Sequence, residues 1–339
     1  MAVTLKMIAE KAQVSVMAVS AALNGTTRTR ISAEKREHIR KIADELGYRP
    51  NVIAQSLSGG KSHLIGVVID SYMNSSRVLM LRGIEEAASA NNYRILVAEQ
   101  HESLSDLIEI FKVFEQYGVD GVICLSHDYM DMGNSLKEIL KNMKNIVTWE
   151  EIPNVNILSV SIDPVGAYRE LVSGWKNSGR TRPALVMNVD FNQQMINRSN
   201  LFCQVCREYG LEAEIIKVDA APTDKRIFSL MEEVIREKLL PHRADCVLAE
   251  NDVWACSLMG AASKAGINVP RDIAVSGWDN DVFCTGLVPP LASISVNAEE
   301  IGRQLTTLLC RCINNESVHS VVVSSEFYCR ESCGFGNKQ

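Results

Sequence analysis

Long apolar runs are missing from this 339-residue chain. No stretch approaches the roughly 18 residues that cross a bilayer, and the N-terminus starts at once on a polar, patterned helix, so the expectation is a cytosolic protein without a membrane segment. Cysteine is absent before Cys124, and all ten cysteines fall between Cys124 and Cys333 in a long chain without an export signal; reduced, mostly buried thiols are expected rather than a disulfide framework. The one C-x-x-C, Cys203-Gln-Val-Cys206, has helical spacing around it and no second pair at zinc-ribbon distance. H-E-x-x-H, G-x-G-x-x-G after a strand and G-x-S-x-G are all lacking, so no catalytic constellation, cofactor or metal site is expected.

What is present is unevenly divided. A chain of this length exceeds one ordinary core and implies two or three domains. With 46% hydrophobic and 22% charged residues it has material for ordinary folded domains. Residues 1–62 carry ten basic side chains against five acidic ones; the whole chain is −6, so the remainder carries −11. A small basic module on an acidic body fits a polyanionic partner.

The local pattern of that module supports this. Thr4 can cap a helix over Leu5 to Ala12, with Leu5, Ile8, Ala9 and Ala12 on one stripe. Ser15 can cap a second over Val16 to Leu23, whose inner face is Val19, Ala22 and Leu23. Only Gln13 and Val14 separate these two units, and so tight a turn between small-faced helices gives a helix-turn-helix. Val16 and Met17 then point outward, suited to thymine methyl groups in a major groove, while Ser15 and Ser20 suit phosphates or base edges. Ser32 caps a third helix with Ile39, Ile42, Ala43 and Leu46 at helical spacing, Gly47 as stop and Pro50 as break. The segment from Asn51 to Leu57 is too short to persist as a helix alone; a bound duplex and a second copy would have to order it.

TLKMIAEKAQVSVMAVSAALNG from Thr4 and ELGYRPNVIAQSL from Glu45 resemble the lactose-repressor/galactose-repressor family of bacterial transcription regulators. The resemblance implies an all-α helix-turn-helix DNA-binding domain joined to an α/β periplasmic-binding-protein-like (type I) effector domain of two doubly wound parallel-sheet lobes. It implies that Val16, Met17, Ser20 and Ala21 read the operator, with Thr4, Ser15, Asn24 and Arg28 completing the DNA-contacting set. Leu57 would wedge into the central minor-groove step, and Asn51, Val52 and Ala54 would frame paired hinge helices. Two departures stand out. Gln13 replaces the family's usual turn glycine, at about 1 kcal/mol if its φ is positive. Ala21 replaces a frequent arginine, leaving an apolar reading surface.

From Leu64 the texture becomes β-α-β. Leu64 to Ile69, Arg94 to Val97, Gly121 to Leu125 and Ile146 to Trp149 read as buried strands, with helices near 78–91, 103–117 and 134–143. After Asp163 the series restarts with Ala184 to Met187, Glu214 to Val218, Cys246 to Ala249 and Ile273 to Ser276. Two doubly wound halves follow, with a ligand crevice at the carboxyl ends of the strands. The expected organisation is helix-turn-helix 1–49, hinge 50–61, a first lobe of 62–162 and 293–322, and a second of 163–292 and 323–339. The resemblance assigns Arg198, Asn251 and Asp279 to effector hydrogen bonds. At the pocket lip the family's stacking aromatics give way to Asn74-Ser-Ser-Arg77, and an Asp-Arg pair to Glu150-Glu151. Asn74, Arg77 and Glu150 therefore join the expected effector site and favour an anionic or zwitterionic molecule such as a phosphorylated sugar. No leucine-heptad tail follows Gly334.

Together these readings describe a homodimeric repressor on palindromic double-stranded operator DNA, controlled by a sugar or sugar phosphate. The competing readings are an effector-independent repressor with a decayed pocket and a cytosolic solute-binding or sensory protein without DNA.

Overall fold

The computed structural model describes residues 3–24, 31–48, 61–70, 75–100, 104–125, 145–152, 155–189, 193–220 and 225–336. Arg28, Asn51, Ala54, Leu57, Asn74, the hinge and the helix expected near 134–143 lie outside the described residues, as does the side chain of Asn24. The chain divides into two compact units, Met1–Ser62 and His63–Gln339.

The first unit holds α1 (Leu5–Ala12), α2 (Val16–Asn24) and α3 (Ala33–Glu45). Each starts at the hydroxyl expected to cap it: the amides of Met7, Ala18 and Lys35 donate to Thr4 Oγ1, Ser15 Oγ and Ser32 Oγ at 3.4, 3.2 and 3.3 Å. Ile8, Val19 and Ile39, one from each helix, are fully buried against one another's neighbours Ala9, Ala12, Ala22, Ile42 and Ala43. A core this small works because alanines let the three helices approach closely.

The second unit contains two six-stranded sheets. In the first, β1 (Leu64–Asp70), β2 (Arg94–Gln100), β3 (Gly121–Cys124), β4 (Ile146–Trp149) and β5 (Leu158–Asp163) are parallel, with α4 (Ser75–Ala90) after β1 and α5 (Leu104–Gln116) after β2. The second repeats this plan. After α6 (Val165–Asn177) come β6 (Pro183–Asn188), α7 (Gln193–Glu208), β7 (Glu214–Val218), α8 (Ile227–Val234), β8 (Cys246–Ala249), α9 (Asp252–Lys264), β9 (Ala274–Trp278) and β10 (Ala292–Ser295). Then α10 (Ala298–Ile313) and β11 (Val321–Ser324) return to the first lobe, and β12 (Glu326–Tyr328) pairs antiparallel with β10.

The strand orders, β11-β5-β4-β3-β1-β2 and β12-β10-β9-β8-β6-β7, place β1 opposite β6 and β4 opposite β9 in the repeat. Pairing sets the crossings between lobes at the ends of β5, β10 and β11, whereas the sequence pattern drew them after residues 162, 292 and 322. Residues 293–295 hydrogen-bond to β9 and β12, and 323–324 to β5. Strands β5, β10, β11 and β12 went unread because they are three to six residues long and interrupted by serine or acidic residues.

The returning helix α10 locks against α4 with almost no space between backbones. A Cβ on Gly302 would lie 2.1 Å from the carbonyl oxygen of Met80, and Thr306 Oγ1 donates to the Ile84 carbonyl at 3.4 Å. The Gly302 position therefore has a steric cause. α4 carries the first-lobe half of the candidate site, and this contact fixes its height over the sheet.

Candidate functional site

In the N-terminal unit, α2 presents its first turn. Val16 is 45% exposed and Met17 is 72% exposed, large apolar side chains held on the surface by a helix whose inner face, Val19 and Ala22, is fully buried. Ser15 and Thr4 are exposed, but their hydroxyls already accept the capping amides, so each has its donor rather than its acceptor to offer. Ser20 is half-buried. Ala21 differs from expectation: it is only 3% exposed. A single methyl group does not reach past its neighbours, so Ala21 has no reading surface, although a longer side chain at that place would. Gln13 has φ 51° and ψ 45°, the left-handed conformation for which the family uses glycine. Gln13→Gly is expected to stabilise the module by about 1 kcal/mol. Amide exchange of α1 and α2 in the full-length protein would slow about fivefold.

In the second unit, Arg77, Glu150, Arg198 and Asp279 come together where the strands end. Arg77, in the first turn of α4, is 9% exposed and lays its Cζ 3.8 Å from the centroid of Trp149, the last residue of β4. Arg198, on α7, is also 9% exposed and lies 3.7 Å over Trp278, the last residue of β9. Tyr168 supports Trp278 from behind, with ring centroids 5.8 Å apart. Glu150 follows Trp149 with φ 59°, and Asp279 follows Trp278 with φ 105°. Their amides donate to matching strands, to Val160 at 2.9 Å and to Ile294 at 2.8 Å. Ser76 Oγ of the first lobe donates to Asp279 Oδ1 of the second at 2.6 Å. Asn251 instead caps α9, accepting from the Trp254 amide at 2.9 Å; Oδ1 is thereby used, and Nδ2 remains to meet a ligand.

Residues 4–51 match the model of bacterial regulatory proteins of the lacI family, and residues 174–333 match that of a periplasmic binding protein-like domain. The chain belongs to the lacI family. LacI-family relatives include catabolite control protein A of Priestia megaterium, 27% identical over 328 residues that cover 95% of this chain and 96% of that protein. The HTH-type transcriptional regulator DegA of Bacillus subtilis (strain 168) is 29% identical over 313 residues, covering 90% and 89%. The solved lac repressor dimer bound to operator and the anti-inducer ONPF has the same fold, with a TM-score of 0.85 at 21% identity, covering 98% of this chain and 99% of that one. A CelR–cellobiose complex aligns with a TM-score of 0.69 at 22% identity, covering 97% and 99%. As a lacI-family member the protein is a DNA-binding transcriptional regulator, not an enzyme.

The cleft of this LacI-family regulator holds unusual carboxyls. Burial pushes Glu150 up to about 7, against the opposing pull of the Ile162 amide, Arg198, Ser161 and Arg77. Burial likewise raises Asp279 to about 7; Ser76 and Arg198 oppose this, while the charges of Asp252 and Asp281 reinforce it. Glu250, whose carboxylate accepts from the Asn188 amide, is raised by burial as well. A folded carboxyl that holds its proton more tightly than the unfolded chain loses stabilising effect as pH rises, here from about 4 to about 7. Urea unfolding of the ligand-free protein is therefore expected to show lower stability at pH 7.5 than at pH 5. The double variant Glu150→Gln/Asp279→Asn, which keeps both acceptor oxygens, should flatten that slope.

The sequence reading missed Ser76, Trp149, Trp278 and Glu250. One signal was available: two of the four tryptophans are followed directly by an acid, at Trp149-Glu150 and Trp278-Asp279. The thiols behave as packing groups. Burial pushes Cys206 up to about 12, far from a reactive thiolate, and all ten cysteines are free. Among the described residues no helix is long and apolar enough to cross a membrane.

Proposed function

We propose that the protein is a cytoplasmic, homodimeric repressor of a roughly palindromic operator in double-stranded DNA, with one N-terminal module on each half-site. A sugar or sugar phosphate in the interlobe cleft controls it, and the reading invokes no cofactor, metal or membrane. The observation that carries this reading is the pair Val16 and Met17, held exposed at the start of a helix whose opposite face is buried. Apolar side chains in that place suit thymine methyls on the floor of a major groove. Thr4, Ser15 and Ser20, with Asn24 and Arg28, would fix the module on the phosphates. Leu57 would wedge the central step, and Asn51 and Ala54 would pair the hinges.

Dimerisation has its own support. Val282 is 90% exposed, Val288 96% and Phe283 37%, an apolar group on one short segment of the second lobe. A second copy of this chain is the occupant we assign to it, in line with the lac repressor dimer of the same fold. Control follows from linkage: an effector that changes the angle between lobes shifts the dimer interface near Leu81 to Ala88 of α4 and so makes hinge pairing costly. Buried Arg198 and the interlobe bond from Ser76 to Asp279 favour a working pocket over a decayed one.

Footprinting the full-length protein on its own promoter region at low ionic strength tests the reading. A protected pair of half-sites about one helical turn apart is expected, with affinity falling on the order of a thousandfold between 50 and 200 mM salt. Val282→Asp should yield monomers in sedimentation and weaken operator binding in parallel. No footprint, with or without metabolite extract, would overturn the proposal.

A further inference from the structure

The turn between α1 and α2 is fixed by its backbone and leaves one side chain unused. Gln13 follows α1 at φ 51° and ψ 45°; its amide donates to the Glu10 carbonyl at 3.4 Å, and the Val14 amide donates to the Ala9 carbonyl at 3.0 Å. Left-handed backbone suits glycine first, then asparagine or aspartate, whose short polar side chains bond locally there. Among the described residues, five of the ten non-glycine positions with positive φ are accordingly asparagines. Glutamine has neither advantage: it carries a Cβ, and its amide stands one methylene further from the backbone. Gln13 is exposed, and its carboxamide makes no hydrogen bond among the described residues, so nothing there offsets the strain.

The place of this side chain gives it a task. Lys6 and Glu10 of α1, Gln13 of the turn, and Ser15 and Val16 at the start of α2 line one open concavity. Gln13 therefore shares a surface with Val16, one of the two residues assigned to the floor of the groove. A helix that enters a major groove by its first turn brings the chain leading into it past the groove wall, which is sugar and phosphate. Lys6 and Glu10 balance each other in charge within the concavity, and Gln13 adds a neutral donor beside them.

We infer that Gln13 is a DNA-contacting residue, whose side-chain NH2 donates to a phosphate oxygen at the wall of the groove that Val16 and Met17 enter. The inference rests on the reading of α2 as the helix in the major groove. Both amides of the turn are bonded, so the side chain starts from a fixed Cα and needs little ordering to reach its target. The strain held in the free module is offset by a charge-assisted bond formed only on DNA. A contact of this kind sets the position of the module on the duplex without reading sequence.

Fluorescence anisotropy of the full-length protein on the footprinted operator and on unrelated duplex, from about 50 to 200 mM salt, tests this alongside amide exchange of the same preparations. Gln13→Gly should weaken both duplexes by about tenfold while the amides of α1 and α2 exchange more slowly, so that lost affinity and gained stability appear in one variant. Gln13→Lys should bind as tightly as the parent or tighter at low salt, and should steepen the log–log salt dependence by about 0.9, the mark of one more phosphate neutralised. Operator affinity changed by less than about threefold in Gln13→Gly overturns the inference, as does an unaltered salt slope in Gln13→Lys. A loss confined to the operator also overturns it, because Gln13 would then read a base. If the parent protein leaves no footprint, the groove reading itself fails; a parent footprint with an unmoved Gln13→Gly variant removes this assignment alone.

Discussion

Met17→Glu is expected to abolish specific operator binding, with a loss of roughly 100- to 1,000-fold in affinity. Met17 is 72% exposed on the first turn of α2, and that helix carries no charged residue at all. The substitution does not threaten the fold, because a carboxylate in the first turn of a helix meets the positive end of its dipole. In the groove the same carboxylate has no donor to replace its lost water, and it faces the phosphates of both strands. Apolar contact with a base edge and the cost of an unpaired buried anion add in the same direction. Anisotropy titrations against the footprinted operator and against unrelated duplex would separate the two modes of binding. Operator affinity should collapse toward the non-specific value, while amide protection of α1 and α3 stays as in the parent. A change below threefold would show that Met17 does not enter the groove, and would move the reading surface elsewhere on the module.

Asp252→Ala should cost the second unit about 3–5 kcal/mol. Asp252 is the first residue of α9, immediately after the capping Asn251, and is completely buried. Its Oδ1 accepts from Ser293 Oγ at 2.6 Å and its Oδ2 from the Asp281 amide at 2.7 Å. Three pieces of the second lobe are joined through this one carboxylate: α9, strand β10 and the turn that follows Asp279. The alanine variant leaves a hydroxyl and an amide buried without their acceptor, each at the full cost of desolvation. Gly277 shows how closely the group is enclosed, since a Cβ there would lie 2.0 Å from Asp252 Oδ1. Asp252→Asn keeps one acceptor but turns an NH2 toward a donor, so about half the loss is expected. Urea denaturation at pH 7.5 would measure both. The charge of Asp252 also raises Asp279, so Asp252→Asn should let Asp279 ionise at lower pH, visible by carboxyl-detected NMR. Stability within 1 kcal/mol of the parent for the alanine variant would show that water replaces the carboxylate.

The helical module was legible because its information is local. A cap at Thr4, a cap at Ser15 and an apolar stripe of period 3.6 define α1 and α2 within one residue. The buried strands from Leu64 onward were legible for a similar reason, as aliphatic runs of four to seven residues. The strands that close each sheet were not. In β5, serines alternate with aliphatics, and β12 is three residues long. Such segments become strands only because a neighbour offers an edge.

The candidate site divides along the same line. Sequence alone determined the basic module on an acidic body, the exposed start of α2 and the doubly wound halves. Only tertiary structure buried Ala21 and laid each arginine on a tryptophan more than seventy residues away in the chain. The reason is the range of the forces involved. Caps and periodicity act over a few residues, whereas stacking, burial and the resulting shifts in proton affinity depend on which distant strands the sheet order brings side by side.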